Sequence, residues 1–235
     1  SLNSILTPVF KVGQPGGNAL GGGCLDLQTS RTSATQTCSG QTSSILAGIN
    51  QQVSSSGFGG AITNGATNLA GGSYFRLGGF RASDRNRYGP DCYASGFFFN
   101  SQGESQACTT VLRATTTSTT PTRLTSSGTT PAVASTCINV PANYTFGTDI
   151  LLTARNRTTT GNSLVWRVSG GMLYRDATVG STTWSGPAAT TQSVGTVGTV
   201  AVGADTSLGC LSLTWTAPNS DTWDVTARVV TVENW

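Results

Sequence analysis

Between residues 40 and 83, apolar and small residues return at a steady offset of about fifteen. Ala47-Gly48, Ile62-Thr63 and Leu77-Gly78 are successive apolar-then-small pairs, and small-residue tracts such as Val53-Ser54-Ser55-Ser56-Gly57 and Leu69-Ala70-Gly71-Gly72 lie between them. A period of that length, with small residues at the corners, predicts a coil of two short strands and two tight turns, stacked as a β-roll. A Gly/Ser-rich linker is the other reading of such a composition, but a linker has no reason to repeat apolar positions in phase. One coil buries only a few small side chains, too little to offset an ordering entropy of about 1 to 2 kcal/mol per residue. Neighbouring coils, and a closed set of three chains, are therefore expected to share the core.

The pattern then changes. A Thr/Ser/Pro-rich tract at 110–135 opens as a strand and is interrupted by Pro121 and Pro131. Short alternating segments follow at 144–154, 163–173, 193–202, 208–215 and 223–232, separated by turns rich in Gly, Asn, Asp and Pro. That spacing predicts an antiparallel β-sandwich. At the other end, Leu2, Ile5, Leu6, Val9 and Phe10 precede a Gly-rich run ending at Gly23. The run reads as a hinge, and the apolar patches before it as an anchor that a partner must hold. The predicted class is all-β: an anchoring arm at 1–22, a β-roll-like region with an Arg/aromatic cap at 23–109, and a sandwich at 110–235.

Composition narrows the chemistry. Charged residues are 10% of the 235, against roughly 25% in an ordinary soluble domain, and no apolar run approaches the ~18 residues that would cross a bilayer. Neither charged helices nor a membrane partner is expected. Apart from Lys11 the basic residues are all arginine, scattered without a run, so nucleic acid is not an expected partner. Histidine is absent, which excludes Ser-His-Asp triads, HExxH zinc sites and imidazole bases. Catalysis would rest on carboxylates, and the pairs close in sequence, Asp84 with Asp91 and Asp221 with Asp224, stand beside Arg, Asn or turn residues and read as solvated loop groups. No catalytic residue, cofactor or metal is expected.

Cys24, Cys38, Cys92, Cys108, Cys137 and Cys210 lack metal-site spacing, which favours disulfides. Cys24 and Cys38 are about one coil apart, within disulfide reach if they sit on adjacent coils. Neighbour pairing would add Cys92 with Cys108 and Cys137 with Cys210, one of many connectivities, and bonds between chains are equally open. The opening Ser-Leu-Asn-Ser has no positive region ahead of an apolar core, so no secretory signal is expected. Disulfides without a signal point to a product released by lysis.

Residues 74–99 interleave aromatic and Arg side chains. Tyr74, Arg76, Arg81, Arg85, Arg87, Tyr88 and Tyr93 form a candidate receptor or glycan contact, since ring faces stack on sugars and Arg forks hold acidic groups. The same rings could instead plug the end of the roll. Loops around Trp184 or Trp223 are the fallback binding surface.

The stretch from Gly-Gly-Asn-Ala-Leu through Leu25-Asp26-Leu27-Gln28-Thr29-Ser30-Arg31, the repeats after it, and the segments Tyr93-Ala94-Ser95-Gly96 and Glu104-Ser105-Gln106 resemble tailed-phage fibre and virion-surface proteins. The repeats are similar to the β-roll heads of trimeric autotransporter adhesins. The carboxy-terminal part, with Trp166-Arg167, Arg175-Asp176 and Ala204-Asp205-Thr206, looks like the β-sandwich module that closes many such chains. The resemblance covers about residues 15–235, and implies a homotrimeric virion structural protein, a tail or neck fibre or a capsid decoration rather than an enzyme. Its arm would dock on other phage virion proteins, and its projection would face the host surface glycan. Two departures stand out: Cys24 and Cys38 occupy positions where small residues are expected, and there is no long shaft. The alternative is a glycan-depolymerising tail spike, for which Asp84 and Asp91 are the candidate carboxylates.

Overall fold

The computed structural model describes residues 19–99, 101–129 and 132–234. The expected anchor residues Leu2, Ile5, Leu6, Val9 and Phe10 lie outside them. The chain divides into two compact units, one ending at Ala107 and the other beginning at Cys108.

The first unit contains β1 (Leu25–Asp26), β2 (Ser44–Ile45), β3 (Gln52–Val53), β4 (Ala61–Ile62), β5 (Leu69–Ala70), β6 (Arg76–Gly79) and β7 (Asp91–Gly96). β1, β2, β4, β6 and β7 are parallel neighbours in that order, and β3 pairs with β5 in a second parallel ladder. Leu25, Ser44, Ala61, Arg76 and Asp91 are stacked partners, so successive coils take 19, 17, 15 and 15 residues. This is a β-solenoid. Its interior is a column of Ile45, Ile62, Leu77 and Cys92 facing a column of Cys38, Val53 and Ala70, all buried. The alternate strand positions point outward, as the two-residue period of a strand requires.

A third column is polar. Gln28, Gln51 and Asn68 are buried, and each side-chain oxygen accepts from a backbone N–H one coil further on: Gln51 N at 2.9 Å, Asn68 N at 3.0 Å and Ala82 N at 2.6 Å. The corners left without strand pairing thus keep their N–H groups satisfied, which a buried backbone needs. Glycines complete the corners. A Cβ on Gly48 would sit 2.1 Å from the Gly65 carbonyl oxygen, and one on Gly65 would sit 1.7 Å from that of Gly79. The coils can stack at β-sheet spacing only because neither position has a side chain.

The second unit takes over within β8 (Ser105–Thr116) and adds β9 (Thr122–Arg123), β10 (Tyr144–Asn156), β11 (Ser163–Arg175), β12 (Thr183–Ser185), β13 (Thr190–Val194), β14 (Thr199–Asp205), β15 (Cys210–Thr216) and β16 (Trp223–Asn234). One sheet runs β8-β16-β10-β11, with β12 and β13 both on β11, and a second runs β14-β15-β9. Phe146, Leu152, Trp166, Leu213, Trp215 and Trp223 belong to one apolar core. Among the described residues helix is confined to a 3-10 turn at Val179–Ser181.

The all-β class is therefore observed, but the regular architecture is the solenoid rather than the expected sandwich. Alternation marks half-buried strands without fixing how their sheets close. The segment 193–202 is also two strands, β13 and β14, in different sheets, parted by a turn at Gly195, whose φ is +71°. The solenoid itself is longer than the window in which its period shows. Its first coils carry extra residues, so Ile45 rather than Ala47 occupies the rung below Ile62.

Cys24 is bonded to Cys38 and Cys137 to Cys210, each with Cα atoms 6.1 Å apart. Cys92 and Cys108 are disulfide-bonded as well, and no free cysteine is found among the described residues. Among the same residues no helix is long and apolar enough to cross a membrane.

Candidate functional site

Because the chain winds once round the solenoid in about fifteen residues, the Arg/aromatic segment is spread over several sides of the coil. Tyr74 and Tyr88 meet at one corner, where the stacked bridges run from Phe58 through Ser73 to Tyr88. Their ring centroids are 5.0 Å apart, and Phe58 stands edge-on to Tyr74 at 5.6 Å. Phe58, Tyr74 and Tyr88 thus form an aromatic column with Tyr74 51% exposed at its centre. Phe58 lies outside the segment that sequence density picks out; the clue to it is its place one coil before Tyr74.

The corner geometry makes Tyr74 unusual. At this bend the residues after the bridges have positive φ: Thr42 at 51°, Gly59 at 63°, Tyr74 at 55° and Gly89 at 74°. A left-handed backbone costs a non-Gly residue about 1 kcal/mol or more, and the flanking coils avoid that cost with glycine. Tyr74 accepts it, and its ring lies over Gly59, 3.1 Å from where a Cβ would stand. Among the described residues Tyr74 is the one aromatic that takes this backbone, which Thr42, Asn50, Thr67 and Arg81 also adopt in the coils.

Arg76 and Tyr93 are on the outer face of β6 and β7. Arg76 is engaged by Asp91 on the next coil through two hydrogen bonds, one of them Nε to Oδ1 at 2.9 Å, and Tyr93 is 62% exposed. Arg81 belongs to the opposite corner, its guanidinium 3.8 Å from the centroid of Phe97, which is edge-on to Phe80. Arg85 donates to the Gly103 carbonyl. Arg87 is buried at 1% exposure. Arg87 is thus part of the interior, while Arg85 is half-buried against the Gly103 turn. Of the segment's aromatics Phe75 is buried, while Tyr74, Phe80, Tyr93, Phe97, Phe98 and Phe99 stand outward, so these rings line the surface instead of plugging the coil.

The two candidate carboxylates do not face a common groove. Asp84 is buried and accepts from the backbone N–H groups of Gly71, Gly72 and Asn86. Burial pushes its carboxyl up from the usual range, against those bonds and the nearby Arg87 charge. Asp91 is on the outer face with Arg76. In the second unit burial pushes Asp205 up, but hydrogen bonds from Ser207, Arg123 and Leu208 outweigh it and hold the carboxyl well below the usual range. Asp221 is lowered first by Asn156 and then by Thr159. Asp224 feels burial most, yet hydrogen bonds from Thr115 and Arg157 bring it down. Trp223 belongs to the core and Trp184 lies across Gly171, so Trp223 offers no loop surface.

No protein-family model matches the chain, and no curated protein resembles it in sequence. Among solved structures, the chain is similar to a tailspike protein of the Acinetobacter baumannii bacteriophage Fri1, a capsular polysaccharide depolymerase, with 12% identity and a TM-score of 0.29. The match covers 82% of this chain and 38% of the tailspike. At that score the likeness transfers neither an architecture nor an active site. That tailspike is described as an enzyme, so the expectation of a non-enzymatic chain is not carried further.

Proposed function

We propose that this chain is a phage tail surface protein that engages bacterial surface polysaccharide through the aromatic column of its solenoid. The observation that carries the reading is Tyr74, an exposed ring held between Phe58 and Tyr88 on a strained corner where neighbouring coils have glycine. Sugar rings stack on such faces, and a column along the coil axis presents them in series. The chain works as a homotrimer on the virion, anchored through residues 1–22 to other phage proteins and released by lysis. The exposed Ile49 and Phe80 at the opposite corner support an apolar face shared between copies.

A spike that cuts the polysaccharide it binds is the second reading, as the Acinetobacter phage tailspike does. Calorimetric titration of host capsular polysaccharide into the full chain tests binding. Tyr74→Ala and Tyr88→Ala should each weaken it about tenfold, and unchanged affinity in both overturns the reading. Release of reducing ends in the same mixture distinguishes cutting from holding.

A further inference from the structure

The outward face of the long sheet in the second unit holds the chain's net charge. In an antiparallel pair, directly opposed residues share a face, so the strand register sets out the rows. Arg228 on β16 is opposite Leu151 on β10, and Leu151 is opposite Arg167 on β11. The next row is Thr226, Thr153 and Val165, and the one after it Asp224, Arg155 and Ser163. Arg155, Arg167 and Arg228 are all exposed. Arg113 and Arg157 join the same face, where Thr115 Oγ1 donates to Asp224 at 2.8 Å and Arg157 holds Asp224 by two nitrogens.

The acidic groups here are two. Asp224 is already occupied by Arg157 and Thr115, and Asp149 accepts from the Gly170 N–H at 3.0 Å. Five arginines therefore meet two aspartates on this face, while elsewhere eight basic residues meet eight acidic ones, so the formal net charge of +3 is carried here. Arg167 and Arg228 make no ion pair or hydrogen bond among the described residues. Their Cα atoms flank Leu151 at about 10 Å, twice the spacing between strands.

We infer that this sheet face is a second glycan-contact surface, selective for polysaccharides that carry carboxylates. Two free guanidinium forks take up carboxylates in two-point hydrogen bonds, at a separation close to one disaccharide, and Leu151 between them offers an apolar bed for a sugar ring. The intervening row of Thr226 and Thr153 supplies hydroxyls, the partners a sugar needs. Spaced arginines divided by threonine suit a polyuronate gripped at every second ring better than nucleic acid, whose phosphates call for a denser basic run. The inference rests on the glycan reading for its choice of polymer, but not on the aromatic column.

The test titrates the full chain with polygalacturonate and with its carboxyl-reduced, neutral form. Arg167→Gln/Arg228→Gln should lose at least tenfold in affinity for polygalacturonate and little for the neutral polymer, and raised salt should weaken the parent in the same selective way. Equal affinity of parent and double variant overturns the inference while leaving the tyrosine result, and with it the glycan reading, untouched. A parent that binds neither polymer overturns it too, the glycan reading then being judged by the capsular titration alone. Tighter, arginine-dependent binding of random duplex DNA would replace the polysaccharide with a nucleic acid.

Discussion

Along one corner of the solenoid the backbone turns left-handed at Thr42, Gly59, Tyr74 and Gly89, and the residue chosen at each turn trades conformational ease against surface chemistry. Tyr74→Gly relieves the strain of the third turn and gives up two edge-on ring contacts, terms of about 1 kcal/mol each and of opposite sign. The expected outcome is a melting midpoint within a few degrees of the parent together with loss of polysaccharide binding; a strongly destabilised variant would show that the ring belongs to the fold. Gly65→Ala is the converse case, because its methyl would overlap the Gly79 carbonyl oxygen at 1.7 Å and push two coils apart. Asn68→Ala leaves the buried Ala82 N–H without its acceptor, a cost of about 1 to 3 kcal/mol. Denaturant melts followed by far-ultraviolet circular dichroism should rank Gly65→Ala as the more damaging of the two, and the reverse order would argue against glycine-limited stacking.

At the scale of elements, the carboxylates of the second unit set an acid limit. Asp205, Asp221 and Asp224 sit below the usual carboxylate range when folded, so the unfolded chain takes up protons first. Their stabilisation is present above about pH 4 and is lost as the pH falls through the folded values. Asp84 in the first unit runs the other way: its raised carboxyl gives most stability below about pH 4 and loses it as the pH rises through the folded value. Every tryptophan lies beyond Cys108, so tryptophan fluorescence reports the second unit alone. Its melting midpoint should drop between about pH 4 and 2, and less steeply in Asp205→Asn; a flat profile would contradict the hydrogen-bond account. Much of the element pattern is legible in the sequence. Ile62 and Leu77 are rungs fifteen residues apart and show the solenoid's period, and the alternation from Tyr144 and from Trp223 marks β10 and β16. What the sequence hides is register. Corner insertions shift the rung from Ala47 to Ile45, and the polar column of Gln28, Gln51 and Asn68 is invisible because its spacing of 23 and then 17 residues follows those insertions. For the same reason the linear density of Arg and aromatic residues marks Arg87, which the coil turns inward, and passes over Phe58, which it brings to Tyr74.

For the whole molecule, disulfides and assembly decide whether so charge-poor a chain persists outside a cell. Cys137 and Cys210 close a span of 73 residues and Cys24 and Cys38 one of 14, so loop entropy assigns about 4 kcal/mol to the first and about 3 to the second. Cys137→Ser/Cys210→Ser should lower the tryptophan-detected midpoint, while Cys24→Ser/Cys38→Ser leaves it alone; the opposite pattern would place the larger restraint in the solenoid. The proposed trimer is read by light scattering, where a species of three times the 24.1 kDa chain mass is expected and a stable folded monomer at micromolar concentration would count against it. The central claim, that the solenoid corner holds bacterial surface polysaccharide, is tested most directly by a crystal structure of the protein with an oligosaccharide cut from the host capsule. The account predicts sugar rings lying on the faces of Tyr74 and Tyr88 next to Phe58. Sugar bound elsewhere on the chain, with this column left bare at saturating ligand, would contradict it.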